Sequence, residues 1–230
     1  MDSINFSTNL SIFIQLLSVV GLEGIFINLP TRHRILQSIL KLEMIVQFIE
    51  LFFYILILKP MIKSSLNHMA AARYIDWIVT TPTMLLTLII LFKYEEHLEN
   101  NIDEEIDFYD FLKTNRNNIM SIFLFNFLML FFGYLGEIGV IDLKLSTTLG
   151  FIFLGLTFYI IYKDYAVKSK KAKKLFYYMF TIWSIYGIAA LMEPTAKNNM
   201  FNILDIFAKN FMGLYIYYRI KKVNTTNNLL

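Results

Sequence analysis

No cysteine occurs anywhere in the chain, so disulfide bonds and thiol chemistry are both excluded. Histidine is almost as scarce. His33, His68 and His97 fall in connections between apolar runs, where they read as solvated side chains rather than ligands or bases. The nine glycines form no phosphate-binding loop, and neither an internal repeat nor a low-complexity tract is present. No Ser/His/Asp arrangement suits nucleophilic catalysis, so the chain does not read as an enzyme. Charge is thin as well: 17% of the residues are Asp, Glu, Lys or Arg, against 57% hydrophobic and 17% aromatic. A soluble domain of 230 residues does not normally carry that balance, and the mean hydropathy of +0.53 agrees. The composition is that of a membrane protein.

Apolar runs of about 20 residues, the length that crosses a ~30 Å hydrocarbon core, recur near 9–29, 38–58, 73–93, 117–138, 145–165, 175–192 and 201–220. Each must be helical, because an open strand in lipid leaves its backbone unpaired. The expected fold is therefore all-α, a seven-transmembrane-helix bundle forming one domain over 1–230, with no room for an appended soluble module. The N-terminus MDSINFSTNL lacks a basic stretch and a small-residue cleavage site, so the first span is expected to stay in the mature protein.

Loop charges set the expected orientation. With the N-terminus outside and the C-terminus cytoplasmic, the inner side holds Arg32, Arg34, Lys41, Lys93, Lys113, Arg116, Lys163, Lys168, Lys170, Lys171, Lys173, Lys174, Arg219, Lys221 and Lys222. The outer side holds only Lys59, Lys63, Lys144 and Lys197. That asymmetry follows the positive-inside rule. The run KSKKAKK (168–174) is explained by topology and anionic lipid, without nucleic acid. The connection 93–118 is long and acidic, with Ile102, Ile106 and Tyr109 at helical spacing, which suggests a surface helix or solvated connector. Its carboxylates show no metal-ligand spacing.

Charges inside the spans carry the most information, since each costs about 3 kcal/mol or more at mid-bilayer unless paired or hydrated. In FNILDIFAKNFMGLYIYY, Asp205 and Lys209 stand four apart and share a helix face. In AARYIDWIVTTPTMLL, Asp76 lies about one turn inward from Arg73, with Thr80 further along the same face. Two acids, one arginine and one lysine make a nearly neutral cluster. An ion-pair network that only fixes packing is the plain reading, but Trp77, Trp183 and Tyr186 suit it poorly. Large aromatics beside a buried lysine suit a flat, conjugated ligand held through the amine.

Three stretches carry a resemblance. RYIDWIVTTP resembles the third-helix signature of microbial (type I) rhodopsins, LDIFAKN resembles their seventh-helix retinal-attachment signature, and WSIYGI (183–188) resembles the sixth-helix element that packs on the retinal ring. They follow the family's order and spacing, and the seven-span layout covers the chain. The resemblance implies all-trans-retinal bound to Lys209 as a protonated Schiff base, with Asp76 and Asp205 as counterions and Arg73 just outward of them. Trp77, Thr80, Thr81, Met84, Trp183, Tyr186 and Ala208 would line the polyene. Short loops and an Ile-, Phe-, Asn- and Lys-rich composition are similar to the viral rhodopsins of large algal viruses, a group that includes light-gated cation channels.

The chain departs from the family's pumping pattern at one telling position. Outward proton pumps commonly place a carboxylic acid eleven residues after the primary counterion, and here that residue is Thr87. Gly187 stands where many relatives have a proline in the sixth helix. The second span, KLEMIVQFIELFFYIL, sets Glu43, Gln47 and Glu50 in one stripe, the first offers Ser11, Gln15 and Ser18, and the seventh adds Asn202. Such axial polar residues line up as a hydratable path, with Ser11, Glu43, Glu50 and Asn202 as its candidate lining. The expected function is a light-gated cation channel in which light isomerises the Lys-linked retinal and Asp76 takes the proton. An outward proton pump is the alternative, and a sensor signalling through the 93–118 loop the third. The implied partners are the lipid bilayer, protons or monovalent cations as cargo, and further copies of the chain in a homo-oligomer.

Overall fold

The computed structural model describes residues 2–58 and 65–227, so Lys59 and Lys63 of the expected outer side lie outside the described residues. Helix α1 (Asp2–Ser18) runs on as a 3-10 helix, Val19–Phe26, and α2 (Ile35–Ile57) follows a short turn at Thr31–His33. Then come α3 (Leu66–Glu99), the short α4 (Phe108–Thr114), α5 (Arg116–Glu137), α6 (Leu143–Asp164) and α7 (Lys170–Ala189). The last rod is composite: α8 (Pro194–Asp205) passes through a π-helical turn, Ile206–Asn210, into α9 (Phe211–Asn227). Among the described residues there are no strands, and the long rods number seven.

Local chemistry sets the helix starts. Ser65 accepts the His68 amide at the head of α3, Asp142 accepts the Lys144 and Leu145 amides at the head of α6, and Ser169 accepts the Ala172 amide at the head of α7. Pro194 opens α8 in the first turn, where its missing N–H costs nothing. Helix α3 lies at the centre of the bundle, and Leu88 to Phe92 have no exposed surface at all.

The bundle is apolar outside and partly polar within. Phe48, Phe52 and Ile55 of α2 and Tyr159 of α6 face outward, as lipid allows. Ser7, Thr8, Ser11, Gln15, Glu43, Gln47, Glu50, Arg73, Asp76, Asp205 and Lys209 are buried inside. Helices α1, α3, α5 and α6 are long and apolar enough to cross a membrane by composition alone. In α2 the buried Glu43, Gln47 and Glu50 dilute that signal, in α7 the lysines of its first turns do, and α8 and α9 are each shorter.

Several expectations are corrected. The third span, read as 73–93, is a helix from Leu66 to Glu99, so Lys93 to Glu99 belong to α3 and not to a loop. The extension is held because Glu95, with no exposed surface, pairs with Arg219 of α9 and lies 3.7 Å from Lys171 of α7. His68 and His97 are therefore helical, and His33 shares a hydrogen bond of 2.6 Å with the Tyr94 hydroxyl. The helical spacing of Ile102, Ile106 and Tyr109 does not mark one helix. Asn101 ends α3 at a positive φ of 53°, Ile106 joins the core from an irregular segment, and only Phe108–Thr114 is helical. The connection is engaged within the molecule: Asp103 pairs with Arg32 at 2.6 Å, and Glu99 accepts the Lys170 and Lys171 amides at the head of α7. Lys197 is not in a loop but in α8, buried against Glu137 at 3.0 Å.

Close approach fixes how α5 meets α6. A Cβ on Gly136 would fall 2.1 Å from the Ser146 hydroxyl, which donates to the Phe132 carbonyl. At Gly155 the same atom would meet nothing within 4 Å. Gly136→Val should therefore destabilise the bundle by roughly 1–3 kcal/mol, seen as a lower thermal midpoint by circular dichroism, while Gly155→Ala leaves the midpoint in place. Equal midpoints for Gly136→Val and the unsubstituted chain would show that this contact does not set the packing.

Candidate functional site

Lys209 stands on the π-helical turn between α8 and α9, where the extra residue of the wide turn redirects the side chains around it. Its amine lies 2.5 Å from Asp76 Oδ2 of α3, 3.5 Å from Asp205 Oδ1 of its own rod and 4.0 Å from Glu50 Oε1 of α2. All four side chains are at most 2% exposed. One buried ammonium thus faces three carboxyl groups, which is the compensation a charge needs in a medium that cannot hydrate it.

The two aspartates are held differently. Asp205 accepts from the Tyr54 hydroxyl at 2.7 Å, from the Tyr186 hydroxyl at 2.6 Å and from Arg73 Nη1 at 3.3 Å. Arg73 is fixed in turn by the Tyr54 oxygen at 3.3 Å and by Asn202 Oδ1, and its guanidinium lies 5.4 Å from the Tyr54 ring centre. Asn202 Nδ2 donates to Ser7 and Thr8, while the Ser11 hydroxyl donates to its carbonyl. Asp76 has no such cradle. Its Oδ1 makes no hydrogen bond among the described residues, and Lys209 is the donor on its Oδ2. The Asp76 carboxylate is therefore the nearest base at the lysine nitrogen, and a less committed one than Asp205.

A cavity begins at Lys209 and runs between α3, α5, α6 and α7. Trp77, Thr81, Met84, Trp183, Tyr186 and Ala208 line it, as do Met129, Gly133, Gly150 and Gly187. Thr80 is not among the lining residues; its hydroxyl donates to the Asp76 carbonyl one turn back. Thr81 receives a hydrogen bond from Asn126 of α5 at 2.8 Å. A Cβ on Gly187 would strike the Phe151 ring at 2.6 Å, so in α7 an aromatic from α6 takes up the room beside this glycine.

The four path candidates fall into separate groups. Ser11 and Asn202 belong to the Arg73 network, Glu50 to the lysine, and Glu43 to Thr87, whose hydroxyl donates to Glu43 Oε1. Tyr54, Asn126 and the Glu95–Arg219 pair are polar contacts that span spacing did not disclose. Tyr54 follows Glu50 by four residues on one helix face, a signal that points inward without naming its partner.

The bacteriorhodopsin-like protein family model matches residues 7–223. The fold is similar to that of viral rhodopsin OLPVRII, with a TM-score of 0.79 and 28% identity over 96% of this chain and 98% of that one. Blue light-absorbing proteorhodopsin from Med12 is similar at a TM-score of 0.72 and 18% identity, covering 95% and 97% of the two chains. Xanthorhodopsin, a light-driven ion pump with dual chromophore, is similar at 0.69 and 18%, covering 99% and 96%. At that identity the last two speak for the fold alone. Comparison with curated protein sequences finds no relative.

The residues present fit the retinal that such a family implies: a long apolar cavity, aromatic on its walls, ends at a buried primary amine with an anion beside it. Lys209→Ala should therefore give no visible pigment when all-trans-retinal is added. A borohydride-reducible pigment in that variant would move the attachment elsewhere, with Lys197 the first alternative because its partner Glu137 also borders the cavity.

Proposed function

Since the chain belongs to the bacteriorhodopsin-like family, we propose that it is a retinal protein that moves protons outward across the membrane in light. Retinal bound through the Lys209 nitrogen supplies a light-driven change of shape at that nitrogen. The chain's own groups do the rest. Asp76, 2.5 Å away with an uncommitted second oxygen, receives the proton held there. Asp205, pinned by two tyrosines and Arg73, remains as the fixed anion that keeps the site balanced.

The observation that carries a transport reading is the Glu43–Thr87 contact. Thr87 occupies the position where pumps of the family commonly keep their returning acid, and it has no carboxyl of its own. Here α2 delivers the carboxyl to the same place. Eleven residues of α3, about 16 Å at 1.5 Å per residue, separate Asp76 from Thr87, so acceptor and donor stand toward opposite ends of the bundle. With the N-terminus outside, Asp76, Arg73 and Asn202 lie toward the outer end and Glu43 toward the cytoplasmic end. A buried acid with no cation beside it is cheapest in its neutral, proton-carrying form, and no basic group lies within 4 Å of Glu43 among the described residues. Glu43 is then the group that returns a proton to the lysine nitrogen.

A second reading, passive cation conduction, has its own support. Gln15, Gln47 and Asn210 are buried with side-chain atoms that make no hydrogen bond among the described residues, and neither Glu50 oxygen makes one. Water or a small cation would complete such groups.

Whole-cell recording separates the two. With sodium replaced by a large organic cation at symmetric pH, proton pumping gives outward current at every holding voltage, unchanged by the replacement. A reversal potential that follows the cation gradient would refute pumping and favour conduction. Glu43→Gln should form the same pigment yet slow recovery of the dark state by roughly 100-fold or more, and unchanged recovery would remove Glu43 from this role.

A further inference from the structure

We propose that the face between α6 and α7 holds one anionic glycerophospholipid, its upper acyl chain in an aromatic groove and its phosphate against Lys163, Lys173 and Lys174. The groove is lined by Gly155, Phe158, Tyr159 and Tyr162 of α6 and by Phe176, Tyr177 and Phe180 of α7. Its floor is open because Gly155 has no side chain and a Cβ there would touch nothing within 4 Å. Tyr159 is 60% and Tyr177 55% exposed, so these rings are walls facing the bilayer rather than parts of the core.

A groove in contact with lipid always has acyl chains beside it, and apolar shape alone gives little preference, because lipid tails are as apolar as the protein. Selectivity has to come from the headgroup end. There the groove opens on cations. Lys163 follows Tyr159 by four residues, with its amine 6.0 Å from that ring's centre. Lys173 and Lys174 precede Tyr177 by four and three residues, which puts them on the groove side of α7. Neither they nor Lys163 have an acidic group within 4 Å among the described residues. The adjacent Asp164 is turned to α5, where it accepts from Asn118 at 3.1 Å.

Three lysines left without acids at the mouth of a lipid-facing groove match a phosphodiester that carries net negative charge and do not match a zwitterionic headgroup. The depth agrees. Gly155 lies eight residues below Lys163, about 12 Å along the helix axis, so a chain anchored at the lysines reaches the floor with its upper carbons. Three tyrosines occupy the intervening stretch, the residue type enriched at headgroup level. A two-fold partner chain is a poorer occupant, since it would bring the same lysines face to face. The site borders the retinal cavity without belonging to it: the Phe158 ring packs 5.5 Å from Trp183, which lines that cavity.

The full-length pigment in nanodiscs of equal phosphatidylcholine and phosphatidylglycerol, exchanged into detergent and weighed by native mass spectrometry, tests this. The expected result is one phosphatidylglycerol retained per chain and no phosphatidylcholine. Retention should fall to background both in Gly155→Leu, which fills the floor, and in the double variant Lys163→Gln/Lys173→Gln, with the visible band unchanged in each. Should the leucine variant form no pigment, the lysine variant alone decides. Equal retention of both lipids, or phosphatidylglycerol still bound in the lysine variant, overturns the proposal. So does a dimer whose contacts cross-link through Tyr159 or Tyr177, because a second copy would then cover the face.

Discussion

The structure is arranged around a lysine ammonium buried in the interior of the bundle. Isolated at mid-bilayer, that charge would cost about 3 kcal/mol or more, and leaving a buried partner uncompensated costs about 3–5 kcal/mol. Lys209 therefore brings Asp76, Asp205 and Glu50 with it, and Asp205 brings Arg73, Tyr54 and Tyr186. Those side chains come from α2, α3, α7 and the α8–α9 rod, so the charge network also ties four of the seven long helices together. The π-helical turn is where the last rod gives up regular geometry to present the amine.

That network is uneven, and the unevenness is what makes chemistry available. An anion held by two phenols and a guanidinium is a poor place to put a proton, because each donor would lose its acceptor. An anion touched by one donor is a good place. The same division separates the two ends of the bundle: a dense hydrogen-bonded plug of Arg73, Asn202, Ser7, Thr8 and Ser11 on one side of the lysine, and a sparse pair, Glu43 with Thr87, on the other.

The amino-acid sequence carries the parts of this arrangement that depend on local spacing. Asp76 with Arg73, Asp205 with Lys209, and the stripe of Glu43, Gln47 and Glu50 are all separations of seven residues or fewer within one helix, and a helix turns such spacing into a shared face. Pairs between distant helices are not encoded that way. Thr87 meets Glu43 across 44 residues and Arg219 meets Glu95 across 124, and neither contact follows from the pattern of either span. Hydropathy understates the reach of α3 for the same reason: it falls at Lys93, while the helix continues because Glu95 has a buried partner that hydropathy cannot register. Ile106 shows the converse, an apolar residue at helical spacing that enters the core from an irregular segment.

The central claim is that light sends the proton at the Lys209 nitrogen to Asp76 and not to Asp205. Light-induced infrared difference spectroscopy of the retinal-loaded protein reads this at the carboxyl group itself. The account predicts that a protonated-carboxyl C=O band appears after illumination, is missing in Asp76→Asn and persists in Asp205→Asn when that variant forms pigment. A band that survives in Asp76→Asn but vanishes in Asp205→Asn would contradict it.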